Sequence, residues 1–364
     1  MTTIVTCFGE IMARIQPEGF NRIRQGFPGH ADISFAGTEA NVAVSLQMMG
    51  RDSRYATVLP VGSLGDAALD SVRRFGVDTR FVLRTNGRLG LYFVERGANQ
   101  RPSNVIYDRA GSAVCLAGPD AYAWDKILNG SNWLHITGIT PAISRKASEA
   151  VLLAVQEAKK KGLTVSCDLN FRKKLWDWEP GTPPNKLAEK VMRGLMPHVD
   201  VVIGNEEDTS DIFGISAAGT DVEKGDLAIE RYPDVASQVI RLFPNVSKVA
   251  ITLRQSLSAS HNNWGAMLYD AASKSAVFAP RTEGVYSPYQ IRNIVDRIGA
   301  GDSFAAGLIF ACTDAAMAND PQSAISYAAA ASCLSHSIEG DFNYVSQEEI
   351  FALMKGEASG RVKR

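Results

Sequence analysis

The chain has 364 residues, 45% of them hydrophobic and 21% charged, so it carries the apolar material for a sizeable core and is too long for one small module. Its 38 basic side chains nearly balance 39 acidic ones, a net charge of -1 that leaves no electrostatic footprint for nucleic acid or an anionic membrane surface. No apolar run is long enough for a transmembrane helix, the start lacks a signal-peptide pattern, and the dispersed cysteines, none at a Cys-x-x-Cys spacing, argue against a zinc site or a disulfide framework. The expectation is a soluble cytoplasmic protein whose cysteines are buried small apolar residues in a reducing compartment.

Along the chain, apolar bursts at 4–8, 55–59, 133–137, 163–168, 199–203, 248–253 and 265–269 read as strands, the first breaking at Gly9-Glu10. Between several of them, 41–49, 67–75, 145–161 and 185–195 read as helices. In 145–161, Ala147, Ala150, Val151, Ala154 and Ala158 share one stripe, and a Lys159-Lys160-Lys161-Gly162 end puts positive charge at the C-terminal dipole before a glycine stop. Such alternation predicts an α/β fold with a mainly parallel sheet covered on both faces. Two stretches interrupt it: 14–35, rich in Gly, Pro and polar residues, and 88–110, where short strands at 89–95 and 104–109 flank a polar loop at 97–100. With no helix between them, these strands predict an antiparallel excursion. We read 14–35 and 88–110 as a small β-lid, and 1–13, 36–87 and 111–364 as one large domain.

The strongest local signal is the run from Asn293 to Gly307, in which a short apolar stretch enters Gly299-Ala300-Gly301-Asp302 and a small-residue helix follows. Glycines let the backbone turn with its N–H groups exposed, and a helix start adds partial positive charge, which together suit a phosphoryl group. Asp302 is placed to take a proton from an attacking hydroxyl while the amides steady the transferring group. Taken alone, the run also reads as a tight strand-to-helix turn with an aspartate cap. It is neither a Walker P-loop nor a Rossmann fingerprint, whose Lys and glycine spacing it lacks.

Asp296-x-x-Gly299-Ala300-Gly301-Asp302 resembles the signature of the ribokinase-like (PfkB) carbohydrate kinases, and Ala36-Gly37-Thr38-Glu39-Ala40-Asn41 resembles their sugar-binding Gly-Gly-x-x-x-Asn. Gly62-x-x-Gly65-Asp66 and Gly76-Val77-Asp78-Thr79 follow in the family's order over nearly the whole chain. The resemblance implies a three-layer α/β/α sandwich with a β-sheet lid, ATP and Mg²⁺ as cosubstrate and ion, and Asp302 as base beside a Gly299–Gly301 anion hole. Asp168-Leu169-Asn170-Phe171-Arg172-x-x-Leu175-Trp176, Leu91-Tyr92, the run from Tyr107 to Ala113 and His336-Ser337-Ile338-x-Gly340-Asp341-Phe342-Asn343 resemble the family's branch acting on 2-keto-3-deoxygluconate. That branch implies phosphorylation of the 6-hydroxyl, with Gly37, Asn41, Tyr92, Tyr107, Arg109, Arg172 and Asp302 lining the substrate pocket. A sugar acid carries a carboxylate that a planar guanidinium fork matches, which suits Arg109 and Arg172 at strand ends; Tyr92 and Tyr107 would each offer a hydroxyl.

Toward the nucleotide, the resemblance implies Asn170, Asn205, Thr252, Arg254, Gly299 and Gly301. Asn205-Glu206-Glu207-Asp208 resembles the family's Asn-x-x-Glu element, which organises Mg²⁺ through water; aspartate ends it here, leaving the role open between Asp208, with Asn205, and Glu207. After Thr252 the short glycine turn of many relatives gives way to a polar run through Gly265, read as an extended hairpin with His261 in a solvated loop. A neutral-sugar kinase of fructose or ribose, or a catalytically silent sugar-acid binding protein, are the competing readings. Apolar residues on the lid strands could clasp a second lid to form a homo-oligomer.

Overall fold

The computed structural model describes residues 3–205, 207–216 and 229–357. A nine-stranded sheet runs, in spatial order, Ser275–Ala279, His261–Asp270, Lys248–Ser258, Val201–Gly204, Thr164–Asp168, Trp133–Thr137, Val5–Phe8 and Ser53–Ala56, with Tyr289–Ile291 paired to His261–Asp270 as the ninth strand. From Lys248–Ser258 to Ser53–Ala56 the pairings are parallel, and the remaining strands join antiparallel. The inner strands are buried throughout because helices cover both faces. On one face Val151, Leu187 and Val235, from the helices Arg145–Lys160, Pro184–Leu195 and Tyr232–Leu242, pack with Leu134 and Val165. On the other, Val42, Phe304 and Ala328, from Thr38–Met48, Ala300–Thr313 and Pro321–Ser335, pack with Val5 and Cys7. This is a three-layer α/β/α sandwich.

Local signals account for the elements. Ser144 caps Arg145–Lys160 by accepting from the Ala147 amide, the Ala147–Ala150–Val151–Ala154–Ala158 stripe is buried, and Lys159 and Lys160 occupy the last turn. The first strand has the Ser53–Ala56 strand on one side and Trp133–Thr137 on the other, so the strand order reverses there. Open α/β sheets bind ligands beyond the carboxyl ends of their strands at such a reversal.

A second, four-stranded sheet is ordered Ala31–Ala36, Met12–Pro17, Gly90–Glu95, Asn104–Asp108. Its outer pairs are antiparallel, but Met12–Pro17 runs parallel to Gly90–Glu95, so the excursion is mixed and its first strand begins at Met12. Met12, Ala36, Tyr92 and Val94 form its buried face. On the opposite face Ile15 stands in register with both Ile33 and Phe93, and Phe93 with Ile106.

Three expectations change. The strand read at 55–59 divides at Thr57: Ser53–Ala56 stays in the large sheet, while Val58–Pro60 pairs with Leu83–Thr85. The strand read at 248–253 continues to Ser258 and turns back as His261–Asp270. His261 is therefore a half-buried strand residue rather than a solvated loop residue, because the hairpin tip packs under Asn99, whose carbonyl accepts from the Ala259 amide. Of the free cysteines, Cys7, Cys115 and Cys167 are buried and Cys312 and Cys333 half-buried. No helix among the described residues is long and apolar enough to cross a membrane.

Candidate active site

A cavity of about 310 Å³ lies at the carboxyl ends of the parallel strands, roofed by the four-stranded sheet. Every residue singled out from the sequence for substrate, nucleotide or catalysis lines it, from Gly37 and Asn41 to Gly299, Ala300, Gly301 and Asp302. Glu207 does not: it is exposed at the start of the helix Asp208–Phe213. Glu206 lies outside the described residues.

One end of the cavity is a helix start. Gly299 has φ +86°, and a Cβ there would run into the Asp341 carbonyl, so only glycine makes this turn. The helix Ala300–Thr313 begins directly after it, and the first amides of a helix have no intrahelical acceptor. Ala300, Gly301 and Asp302 thus present donors and the positive end of the dipole to the cavity. Ser332 braces the turn by donating to the Ala300 carbonyl at 2.6 Å. Asp302 is buried and accepts from Asn41 Nδ2 at 2.6 Å, while Asn41 Oδ1 accepts from the Gly37 amide. Burial pushes the Asp302 carboxyl up to about 7 against the lowering Asn41 bond, with the negative fields of Asp341 and Glu39 adding to the rise. A carboxyl poised near neutral pH suits a general base.

The two arginines differ. Arg172 is exposed in the cavity wall, donates Nη1 to the Phe171 carbonyl at 2.9 Å, and has no ion pair among the described residues. Arg109 is buried, and its fork is committed: Nε and Nη2 both reach Glu10 Oε2, at 2.7 and 2.5 Å. Glu10 therefore occupies the Nε–Nη2 edge of the Arg109 guanidinium, which still lines the cavity. The Tyr92 hydroxyl is engaged too, donating to Asp341 at 2.8 Å, while the residue lines the cavity. Tyr107 is half-buried beside it, with the Arg109 guanidinium 5.8 Å from its ring centre.

On the other side, Asn170 holds a left-handed φ of +37° and its buried Oδ1 has no partner. Asp168 is buried next to it, its carboxyl raised by desolvation and by Asp208 and Asp302, against the lowering field of Arg172. Asp208 accepts from the Phe171 and Asn205 amides, both at 2.9 Å, and Asn205 Oδ1 accepts in turn from the Glu207 and Asp208 amides. With its oxygens so engaged, Asp208 orders the loops after two strands. No group of three or more acids, histidines or cysteines among the described residues is built to hold a metal directly. Asp168, Asp208 and Asn205 line this side of the cavity together. Thr252 and Arg254 line the same wall; burial, with the neighbouring charge of Arg254 adding to it, holds Arg297 below the usual arginine range.

Sequence reasoning missed Glu10, Asp168 and Arg14. The first two carry a readable signal, an acid at or just past the end of an apolar strand. Arg14 carried none. It is buried, reaching Asp296 and Asp341 at 2.5 Å each and Gln16 at 2.7 Å, and so ties the small sheet to the Gly299 turn.

Comparison with known proteins agrees with this geometry. Residues 2–343 match the model of the pfkB family carbohydrate kinases. The crystal structure of 2-dehydro-3-deoxygluconokinase from Thermotoga maritima is 43% identical with a TM-score of 0.87, covering 98% of this chain and 99% of that one. A 2-dehydro-3-deoxygalactonokinase from Haloferax volcanii is 30% identical over 361 residues, 99% of each chain. A PfkB family carbohydrate kinase from Listeria grayi is 30% identical with a TM-score of 0.83, covering 97% of this chain and all of that one. The chain belongs to the pfkB family of carbohydrate kinases, and its chemistry is ATP-dependent phosphoryl transfer to a sugar.

Proposed function

We propose that the chain transfers the γ-phosphoryl group of ATP to the terminal hydroxyl of 2-keto-3-deoxygluconate, giving 2-keto-3-deoxy-6-phosphogluconate. The observation that carries this reading is one cavity holding both a buried carboxyl near neutral pKa, Asp302, and an arginine with no ion pair among the described residues, Arg172. The 43% identical Thermotoga protein, named for this substrate, supports it along nearly the whole chain.

Phosphoryl transfer is mostly positioning and charge stabilisation, and the residues divide accordingly. Asp302, oriented by Asn41, takes the proton of the attacking hydroxyl as its oxygen bonds to phosphorus and the bond to the ADP oxygen breaks. The Ala300, Gly301 and Asp302 amides hold the negative charge of the transferring group. Arg172 forks onto the substrate carboxylate. Asn170, Asn205, Thr252 and Arg254 face the nucleotide. Mg²⁺, when bound on the phosphates, supplies charge neutralisation.

Residues 14–35 and 88–110 act as a lid whose closure excludes water and limits hydrolysis. The in-register Ile33, Ile15, Phe93 and Ile106 on its outer face, with Ile33 64% exposed, suit an isologous contact with the lid of a second copy. A cytoplasmic location follows from dependence on ATP.

The test is ADP release by purified protein over 2-keto-3-deoxygluconate, its C4 epimer 2-keto-3-deoxygalactonate, gluconate, fructose and ribose, with the product located by phosphorus NMR. Turnover should be highest on the first, at C6. The name of the Haloferax relative favours a second reading, the C4 epimer as preferred substrate. Preference for a neutral sugar, or no turnover at all, would replace the sugar-acid kinase by one of its competitors.

A further inference from the structure

Glu10 lies just past the first strand, 2% exposed, in the wall of the cavity. Its two oxygens are unequal. Oε2 takes both Arg109 bonds, whereas Oε1 is buried with no donor. Glycine at 90 makes room for that oxygen, since a Cβ there would stand 2.7 Å from it. A buried acceptor left unmade is costly, so Glu10, a residue of the cavity wall, keeps one carboxylate oxygen short of a hydrogen bond.

Resting on the sugar-acid kinase reading, we propose that Glu10 is a specificity residue whose Oε1 accepts a hydrogen bond from a hydroxyl on the substrate's carbon chain, distinct from the hydroxyl that is phosphorylated. The chemistry selects the partner. A substrate carboxylate has no proton to donate and is repelled by Glu10, while a hydroxyl donates one. Arg109 neutralises Glu10 and so permits a carboxylate at this depth. Because that pairing takes one edge of the Arg109 guanidinium, Arg172, with no ion pair among the described residues, is the better-placed partner for the substrate carboxylate. The cavity therefore reads three features of one molecule: a carboxylate at Arg172, a reacting hydroxyl at Asp302 and a spectator hydroxyl at Glu10.

The experiment compares the wild type with Glu10→Gln and Glu10→Asp on 2-keto-3-deoxygluconate and on its 4-deoxy and 5-deoxy analogues. Glu10→Asp keeps the charge opposite Arg109 but withdraws the carboxylate by one methylene, so it serves if Glu10→Gln fails to fold. On the parent substrate KM should rise roughly 10- to 100-fold, the scale of one lost hydrogen bond to a buried charged group, with the KM for ATP within about twofold. On one deoxy analogue, the one lacking the hydroxyl that Glu10 reads, wild type and variants should bind equally weakly. Equal losses on all three substrates, or an unchanged KM on the parent, would overturn the assignment while leaving the kinase reading intact. A wild type that turns over none of the three would sink the kinase reading and this inference with it.

Discussion

On the proposed mechanism Asp302 is held between two demands: burial keeps its carboxyl near neutral pKa, and a general base must be ionised. Asp302→Asn should lower kcat by roughly 10²- to 10⁴-fold, the scale for losing a positioned base. Wild-type kcat/KM should rise with pH through about 7, and this limb should be absent in the variant; a limb that persists there removes Asp302 from the chemistry. Stability runs the other way. The folded pKa is raised from 3.8 to about 7, so the folded state binds this proton more tightly and the Asp302 contribution is lost as pH climbs across that window. Asp302→Asn, which cannot ionise, should therefore melt a few degrees above wild type at pH 8, and the gap should close toward pH 4. Differential scanning calorimetry at the two pH values checks the sign. Asp302, Asn41 and the glycines were legible because a motif holds them at fixed spacing. The partners of Arg109 and Tyr92 were not, since Glu10 and Asp341 stand 99 and 249 residues away and only the fold brings them together.

At the scale of elements, the four-stranded sheet is fastened to the catalytic turn by Arg14, whose guanidinium bridges Asp296 and Asp341. Burial alone would lower its pKa, but the two aspartates raise it and hold it firmly protonated. Arg14→Ala strands two buried carboxylates and should cost about 3–5 kcal/mol, read as a lowered Tm. It should also shift the acid limb of kcat/KM upward, because Asp341 already raises Asp302 and would lose its neutralising partner. A limb that stays in place would show that Arg14 is structural only. Strands and helices with clean apolar periodicity, such as 133–137 and 145–161, were legible almost to the residue. Those shaped by distant pairing were not. The break at Thr57 exists because Val58–Pro60 pairs with Leu83–Thr85, and Met12–Pro17 lies parallel to Gly90–Glu95 across more than 70 residues of chain. The polar run after Thr252 was readable as a hairpin, but its tip is held by Arg297, whose Nη2 donates to the Ser258 and Ala259 carbonyls.

For the whole molecule, the sandwich supplies rigid strand ends and the second sheet a roof, so the cavity exists only where both meet. If the outer face of that roof docks on a second copy, Ile33→Glu with Ile106→Glu should convert a dimer to a monomer in sedimentation velocity without unfolding the chain; an unchanged sedimentation coefficient would free that face of any such role. Activity should vanish in excess EDTA and return with Mg²⁺, because the phosphates bring further negative charge into a cavity already lined by Asp168, Asp208 and Asp302; full turnover in chelator would contradict it. The substrate class rests on Arg172, and the most direct test is the ratio of kcat/KM for 2-keto-3-deoxygluconate to that for fructose, in wild type and in Arg172→Ala. Arg172 is exposed, so the loss is that of one hydrogen-bonded charged contact, about 1.5–3 kcal/mol, and the ratio should fall by roughly 10- to 150-fold, with Arg172→Lys recovering only part of it because an ammonium lacks the planar fork. A ratio unchanged because both substrates weaken equally would contradict the sugar-acid assignment.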